Sequence, residues 1–318
     1  MGRREALRRL SGLDPETWSA ADASFPVRIP RTWFDRIDPD DPGDPIGRQA
    51  LPDAAELVPA ADDRVDPVGD AACSPVPWVV CKHPDRVLLL LTKRCHLYCR
   101  YCFRRNHKPG ERQDPGPEAL EKALDWCARS GARELILSGG DPLAVRDEQL
   151  FKVLDRLRHI PVVRIHTRAP ITAPERITDA LVAGLKERGP VWVVVHANHA
   201  RELTPPVLAA LARLVDAGVP VLNQSVLLAG VNDDVDTLAE LSEALVSARV
   251  YPYYLHHPDH ASGNAHFRVD PRRGVALHRA LARRVSGIAL PTYIVDLPDG
   301  SGKIPVERAL AEGRLGIL

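Results

Sequence analysis

From residue 86 onward, short apolar segments alternate with longer amphipathic ones. The short segments are rich in Val, Ile and Leu and have the length of buried strands, whereas the longer ones repeat apolar residues at helical spacing. This alternation predicts a parallel sheet covered by helices, and six or so units predict a partial or complete barrel. The predicted strands are residues 87–92, 134–138, 162–166, 191–196, 219–227, 251–256 and 292–296. The predicted helices are residues 117–129, 149–158, 173–187, 206–217, 235–248 and 274–285.

The first 85 residues have a different pattern. They contain many of the 29 prolines, and residues 38–45 form a run of turn-forming residues that no helix can cross. We expect short helices and irregular connections that wrap the outside of a domain. A chain of 318 residues is ordinary for one α/β barrel with an N-terminal extension. We therefore predict a wrapping extension at residues 1–85 and a barrel at residues 86–318.

Each predicted strand ends in polar or chemically reactive residues. One such residue would more often be a strand-end cap, but seven in succession favour a shared site at the carboxyl ends of the strands. In chain order the residues are Cys95, Cys99 and Cys102; Ser138, Gly139, Gly140 and Asp141; His166, Thr167 and Arg168; His196; Asn223, Gln224 and Ser225; His256, His257 and Asp259; and Asp296.

The three thiols that follow the first of these strands have the spacing CxxxCxxC. A loop of that length can direct Cys95, Cys99 and Cys102 toward one inorganic centre. A structural zinc site is the alternative, but such a site has four protein ligands and the motif supplies three. A cubane iron–sulfur cluster held by three thiolates leaves one iron open to bind a small molecule. The open-iron interpretation fits better, and Cys73, Cys81 and Cys127 are expected to be ordinary buried or half-buried thiols.

The motif CxxxCxxC, with Tyr101 before its last cysteine, resembles the radical S-adenosylmethionine (SAM) superfamily. In that superfamily a [4Fe-4S] cluster binds SAM through its free iron. The segment from Ser138 to Asp141 resembles the part of these proteins that holds the amino group of SAM, because glycines let the backbone approach a ligand closely. The resemblance implies a TIM-like radical SAM barrel of partial (β/α)6 type, in the α/β class, with an irregular or helical N-terminal extension.

Near the C-terminus, Lys303 lies in a glycine-rich segment at the predicted mouth of the barrel. A lysine in such a loop is usually just solvated, although a desolvated lysine amine can form a Schiff base. The chain here resembles the lysine 2,3-aminomutase family, radical enzymes that use pyridoxal 5′-phosphate (PLP) with SAM. The resemblance covers residues from about 50 to 306, and its motifs are residues 74–77, 95–105, 138–143, 223–232, 266–268 and 295–305.

The resemblance implies a role for further residues. Lys303 matches the lysine that forms the Schiff base with PLP, and Arg104 matches the arginine that holds the substrate carboxylate. His196 matches a position near SAM. The expected contacts of the PLP phosphate are Gln224, Lys82 and Arg86. Lys82-His83 stands where the family often has Arg-Tyr, so the ammonium of Lys82, a point charge, replaces the planar guanidinium of an arginine.

Asp259 and Asp296 match the two aspartates that bind the distal ammonium of lysine. Two carboxylates placed for one cation would repel glutamate, and an aliphatic side chain would leave both unpaired. A basic amino acid is therefore the expected substrate. The predicted reaction converts L-lysine to β-lysine by 1,2-amino migration, which is an isomerase activity.

Alternatives to this activity remain open. Two aspartates also suit arginine or ornithine. Residues 24–30 and 103–107 look more like short bacterial members that serve elongation factor P modification, whereas the lysine segment looks more like enzymes acting on free lysine. A non-catalytic iron–sulfur or zinc-binding module is disfavoured because it would leave Lys303 unexplained. No structural zinc is predicted.

The charge balance limits the partners. Lys and Arg number 42, as do Asp and Glu, and the pI is near 7.2, so no global field favours nucleic acid or an anionic membrane. The basic first residues are not followed by the apolar core of a signal peptide, and no run approaches the roughly 18 apolar residues of a membrane span. We expect a cytoplasmic protein that needs a reducing electron donor such as flavodoxin or ferredoxin. The family resemblance implies a homodimer.

Overall fold

The computed structural model describes residues 3–105 and 112–315. Within them, one nine-stranded sheet runs in chain order from β1 to β9. Its strands are β1 (Val79–His83), β2 (Arg86–Thr92), β3 (Glu134–Gly139), β4 (Val162–His166), β5 (Val191–Val195), β6 (Val221–Val226), β7 (Tyr251–His256), β8 (Thr292–Leu297) and β9 (Gly302–Pro305). Strands β2 to β8 are parallel, whereas β1 and β9 are antiparallel edge strands.

The helices form the outer layer and the N-terminal extension. They are α1 (Arg3–Ser11), α2 (Pro15–Ser24), α3 (Arg31–Phe34), α4 (Pro45–Arg48), α5 (Pro117–Arg129), α6 (Asp147–Arg156), α7 (Ala169–Thr172), α8 (Asp179–Glu187), α9 (Pro205–Asp216), α10 (Val235–Ser247), α11 (Pro271–Arg284) and α12 (Val306–Ala311). Helices α5, α6, α8, α9, α10 and α11 alternate with the parallel strands, as the sequence pattern predicts. None of the helices in the described ranges is long and apolar enough to span a bilayer.

The parallel strands pair in register, so their carboxyl ends lie together. Leu89 of β2 pairs with Leu137 of β3, and Leu135 pairs with Val163 of β4. These residues are buried against the apolar faces of the outer helices in one large core. The architecture is a nearly closed barrel, and the predicted α/β partial barrel is confirmed.

The two edge strands approach each other at the open side of the barrel. A Cβ atom on Gly302 of β9 would lie 2.5 Å from Nε2 of His83 in β1. The φ of +76° at Gly302 also favours glycine at this contact between the edges. Neither edge strand is predicted from the sequence, and together they place residues 79–83 and 302–305 beside the barrel interior.

One predicted helix is divided in the structure. The pattern over residues 173–187 predicts a single helix, but Pro174–Arg176 forms a short 3₁₀ turn and α8 begins only at Asp179. The side chain of Thr178 accepts a hydrogen bond from the backbone N–H of Leu181 and so caps the start of α8.

The N-terminal extension packs into the same core as the barrel. Trp33 of α3 is fully buried, and its Nε1–H donates to the carbonyl of Ile46 at 3.1 Å. The hydroxyl of Thr32 donates to the carbonyl of Thr172 at 2.8 Å, which attaches α3 to the end of α7. The division at residue 85 stays a prediction, although the sheet already includes Val79–His83.

Candidate active site

The thiol loop follows β2 and is held by the N-terminal extension. The backbone N–H of Tyr98 donates to the carbonyl of Arg28 and that of Arg100 to the carbonyl of Gln49, both at 2.9 Å. Cys95, Cys99 and Cys102 line one cavity of about 210 Å³, which also touches Gly139 and Gly140 at the end of β3. The loop and the glycine segment therefore enclose the same space.

The donor set of this cavity fits an iron–sulfur cluster. In the described parts of the chain, no three His, Cys, Asp or Glu side chains form a group that could hold a metal ion as they stand. The thiols instead surround a volume, as a multi-atom cluster requires. Burial raises the pKa of Cys95 well above its usual value and that of Cys102 to about 11. Such desolvated thiols become ligands only if a cationic centre supplies compensating charge.

The glycine segment is joined to the start of the thiol loop by backbone hydrogen bonds. The N–H of Gly140 donates to the carbonyl of Thr92 at 2.6 Å, and that of Asp141 to the carbonyl of Arg94 at 2.7 Å. Gly139 has a φ of +116°, and a Cβ atom there would lie 2.3 Å from the Thr92 carbonyl oxygen. Both glycines are required by the close approach of the thiol-loop backbone, whereas their predicted approach to SAM stays a prediction.

The carboxylate of Asp141 is held by neighbouring parts of the protein. Its carboxylate accepts hydrogen bonds from the N–H of Leu143 at 2.9 Å, the hydroxyl of Thr167 at 2.6 Å and the N–H of Arg168 at 2.9 Å. The side chain is buried. Asp141 therefore connects the glycine segment to the end of β4, and its contact with SAM stays a prediction.

His196 lies behind the thiol loop. Its Nε2 is 2.9 Å from the hydroxyl of Tyr101, and the two rings are stacked with centroids 5.7 Å apart. Burial lowers the pKa of His196 well below its usual value, so the imidazole is neutral. His196, which is predicted to lie near SAM, thus contacts the thiol loop through Tyr101.

A second, larger cavity of about 740 Å³ fills the barrel interior. Its volume lies within the range of small-molecule sites. Arg104 lines both cavities, so the two spaces meet at this side chain. Eight residues with a role predicted from the sequence line the larger cavity: Lys82, Arg86, Arg104, Ser138, Gln224, Asp259, Asp296 and Lys303.

Lys303 lies on a strand, and the expectation that it lies in a loop is wrong. Gly300 and Gly302 have φ values of +82° and +76°, which turn the chain back so that β9 pairs with β8. Lys303 then lies directly opposite Asp296, and its Nζ donates a hydrogen bond to Asp296 Oδ2. A hairpin fixes the lysine more firmly than a loop would.

The two predicted carboxylates are electrostatically coupled. Burial and the charge of Asp296 raise the pKa of Asp259 to about 7. Asp296 Oδ1 is buried without a hydrogen-bond partner, and Nζ of Lys82 lies 3.8 Å away. A cationic ligand beside this pair would favour the ionised form of Asp259.

Asp70 is a site residue that the sequence analysis misses. It pairs with Arg104 at 2.6 Å and with Lys82 at 3.0 Å. Burial alone would raise the pKa of Asp70, but these two cations outweigh it and hold the pKa below its usual value. Asp70 belongs to the proline-rich extension, where no pattern marks it. Arg104 also donates to the Ser138 hydroxyl at 3.3 Å.

The predicted phosphate contacts are separated from one another. Lys82 Nζ donates to the Val68 carbonyl at 2.6 Å in addition to its pairing with Asp70, so it lies beside the carboxylates. Arg86 begins β2, at the opposite end of the strand from the thiols, and its nearest acid is Asp85 at 3.3 Å. Gln224 lines the cavity from β6.

Two half-buried histidines also line the barrel cavity. His166 ends β4 and His256 ends β7, and Nε2 of each is buried without a hydrogen-bond partner. Burial lowers the pKa of His256 to about 3 and that of His166 well below its usual value. Both are strand-end residues for which the sequence predicts no specific role.

Comparisons with known proteins agree with this arrangement. Residues 89–242 match the family model described as the radical SAM superfamily. The chain is 44% identical over 288 residues to L-lysine 2,3-aminomutase from Clostridium subterminale, covering 89% of this chain and 69% of the relative. It is 38% identical over 317 residues to L-lysine 2,3-aminomutase from Escherichia coli (strain K12), covering 97% of this chain and 92% of the relative.

A solved structure shows the same fold at low sequence identity. A radical SAM methyltransferase from Sphaerobacter thermophilus superposes with a TM-score of 0.50 at 18% identity, covering 68% of each chain. The barrel and the thiol loop beside the glycine segment agree with these relatives, which match most of this chain at about 40% identity. This chain belongs to the lysine 2,3-aminomutase family of radical SAM enzymes.

Proposed function

We propose that this chain is a PLP-dependent radical SAM 2,3-aminomutase that converts L-lysine to β-lysine. The amino group moves from Cα to Cβ while one hydrogen moves from Cβ to Cα, so the reaction is a balanced isomerisation. The observation that supports this best is the single cavity that contains Lys303, Arg104, Asp259 and Asp296. An amine nucleophile, a carboxylate-binding cation and an ammonium-binding acid pair suit a diamino acid.

The thiol loop and the glycine segment hold the radical source in this proposal. Radical SAM enzymes use a [4Fe-4S] cluster and SAM, which supply a carbon-centred radical when bound, and PLP carries the migrating amino group. Cys95, Cys99 and Cys102 hold the cluster. Gly139 and Gly140 give SAM access to backbone polar groups, with Ser138, Asp141 and His196 as the further predicted residues around SAM.

Arg104 binds the substrate carboxylate in this proposal. Its planar guanidinium suits a carboxylate, and Asp70 occupies that fork in the structure at 2.6 Å. Asp70 therefore orients Arg104 and competes with the substrate for it. Because Arg104 lines both cavities, a carboxylate bound there lies next to the radical source.

Asp259 and Asp296 bind the distal ammonium. Asp296 pairs with Lys303 in the structure. Once Lys303 is engaged by the cofactor, the Asp296 carboxylate is free to accept the substrate ammonium. That cation also favours the ionised form of Asp259, whose pKa of about 7 otherwise leaves it partly protonated.

The PLP phosphate is proposed to lie near Gln224 and Arg86, which line the cavity away from the acid pair. Lys82 is the third predicted contact. Its position beside Asp70 and Asp296 assigns it more readily to the substrate end of the cavity. The corresponding test is PLP affinity, which we expect to fall more for Arg86→Ala than for Lys82→Ala.

Lys303→Ala tests the cofactor assignment. We expect the wild-type protein, reconstituted with PLP and treated with borohydride, to gain the mass of the reduced cofactor on the peptide containing Lys303. The variant should lose this label and the long-wavelength absorbance of covalently bound PLP. Lys186→Ala, a change to an exposed lysine on α8, is the matched control. Full labelling of the Lys303→Ala protein would contradict the assignment.

A panel of amino acids tests the substrate. Lysine, arginine, ornithine and glutamate should be compared under anaerobic conditions, with product analysis by mass spectrometry. We expect lysine to be preferred and Asp296→Asn to lower kcat/KM for lysine by about 100-fold, since the loss of one buried ion pair costs a few kcal/mol. Preference of the wild-type enzyme for glutamate would exclude the proposed role of the acid pair.

We further propose the associations that the sequence analysis expects. These are a homodimer, a cytoplasmic location, and flavodoxin or ferredoxin as electron donor, with residues 1–85 acting as a wrapping extension of the barrel at residues 86–318. The alternative is that the β-lysine produced is used to modify elongation factor P. Size-exclusion chromatography with light scattering tests the dimer.

A further inference from the structure

Arg168 contacts the thiol loop and has no role in the reaction proposed above. It follows β4 at the carboxyl end of the strand. Its Nη1 donates a hydrogen bond to Sγ of Cys99 at 2.8 Å. The side chain is 9% exposed, so this N–H···S contact is shielded from water.

The remaining donors of Arg168 are held by other parts of the protein. Nε donates to the carbonyl of His196 at 3.2 Å, and Nη2 donates to Gln49 Oε1 at 2.7 Å and to Glu202 Oε2 at 2.9 Å. The guanidinium carbon lies 4.6 Å from the ring centre of Trp33. These contacts fix the orientation of the guanidinium toward Cys99.

Glu202 anchors the cation. Its carboxylate is fully buried, and Oε1 accepts hydrogen bonds from Gln49 Nε2 at 3.0 Å and from the N–H groups of Asn198 at 2.9 Å and His199 at 3.1 Å. Only Oε2 faces Arg168. The positive group therefore stands between the carboxylate and the sulfur, and the ion pair presents its positive end to Cys99.

We propose that Arg168, oriented by Glu202, sets the reduction potential of the iron–sulfur cluster through its hydrogen bond to Cys99. This inference rests on the proposed function, specifically on Cys99 as a cluster ligand. A cluster held by these thiols would accept one electron from a low-potential one-electron donor, and the added negative charge would spread over iron and sulfur. A cation and an N–H donor at a ligand sulfur stabilise the reduced state, because potentials depend on nearby charge and on hydrogen bonds to sulfur.

The potential can be measured by electron paramagnetic resonance during a dithionite titration, with iron and sulfide counted for each protein. Glu202→Gln keeps the cation and removes its counter-charge, so we expect a shift to a more positive potential. Arg168→Lys cannot hold Cys99, Glu202, Gln49 and the His196 carbonyl at once, so we expect a shift to a more negative potential. Each shift should change the one-electron reduction equilibrium roughly tenfold or more, about 59 mV.

The double variant Arg168→Gln with Glu202→Gln removes both charges and leaves no buried ion unpaired. Its potential should be more negative than that of Glu202→Gln alone, since the two proteins differ only at Arg168. Arg188→Gln removes an arginine that pairs with Asp155 between α8 and α6, and it should keep the wild-type potential. These variants separate a local effect from a change in net charge.

The outcomes are distinguishable from failure of the proposed function. If Cys99→Ala retains a full four-iron cluster, the assignment of the ligands fails. If Glu202→Gln carries full iron and has the wild-type potential, the role of Arg168 in setting the potential is wrong while the ligands stand. Should the Arg168 variants lose iron, Glu202→Gln alone decides the question by the presence or absence of its positive shift.

Discussion

At the scale of the residue, the acid pair shows how one amino-acid type acquires two different properties. Asp296 is paired with Lys303, whereas the carboxylate of Asp259 faces the charge of Asp296. Burial and this like charge raise the pKa of Asp259 to about 7. Ionisation of Asp259 is therefore unfavourable in the unliganded enzyme, and a bound substrate cation would make it more favourable.

Asp259→Asn should stabilise the unliganded protein in a pH-dependent manner. The folded-state pKa lies above the usual 3.8, so ionisation of Asp259 costs stability as pH rises from about 4 to 7. We expect the variant to gain about 1–2 kcal/mol at pH 8, after discounting for solvent screening, and nothing near pH 4. Urea unfolding at several pH values measures this, and an equal difference at pH 4 and pH 8 would contradict the proposed cause.

At the scale of the element, the end of β3 is defined by two glycines in direct contact with the thiol loop. The carbonyl of Thr92 accepts a hydrogen bond from Gly140 and leaves no room for a Cβ atom on Gly139. The hairpin of β8 and β9 likewise depends on glycines, which place Lys303 opposite Asp296. Backbone geometry thus positions both halves of the site.

Gly139→Ala should destabilise the protein by about 3 kcal/mol or more and weaken SAM binding. The substitution combines a positive φ of +116° with a Cβ atom 2.3 Å from a carbonyl oxygen. Gly131→Ala is the matched control, because Gly131 also has a positive φ but no atom within 4 Å of the added Cβ. We expect it to lose only about 1 kcal/mol. Denaturant unfolding and equilibrium SAM binding measure the two effects, and equal losses would exclude the steric argument.

At the scale of the whole molecule, a buried ion network connects the extension to the site. Glu56 of the extension pairs with Arg100 and Arg105 of the thiol loop, each at 2.5 Å. Arg105 also donates to the carbonyl of Gly263 at 2.6 Å, in the loop that carries Asp259. The network thus joins the thiol loop to the loop that carries Asp259.

Glu56→Gln should cost about 3–5 kcal/mol, because it leaves two buried guanidinium groups without a counter-charge. We also expect slower reconstitution of the cluster, since the thiol loop loses its anchor. Thermal unfolding and iron uptake measure these effects. Glu307→Gln breaks an exposed pair with Arg279 and should change stability by less than about 1 kcal/mol. A similar loss in both variants would show that the network does not anchor the loop.

The prediction of the fold succeeds where the pattern is local. All seven parallel strands are found at the predicted places, because each is a short apolar run followed by an amphipathic helix. Val79–His83 and Gly302–Pro305 are missed, since the first has only two large apolar residues and the second begins with Gly and ends with Pro. Such segments become strands only because a neighbouring strand accepts them.

The sequence by itself determined the βα alternation, the thiol motif and the family, because these follow from spacing and order along the chain. Only the tertiary structure decided which polar strand ends enter the site and which serve the fold. Asp141 satisfies three donors of the protein itself. Asp70, which no pattern marks, reaches Arg104, and Arg168, a strand-end residue without an assigned role, reaches Cys99. The reason is physical, since pairing and burial depend on neighbours that lie tens of residues away in the chain.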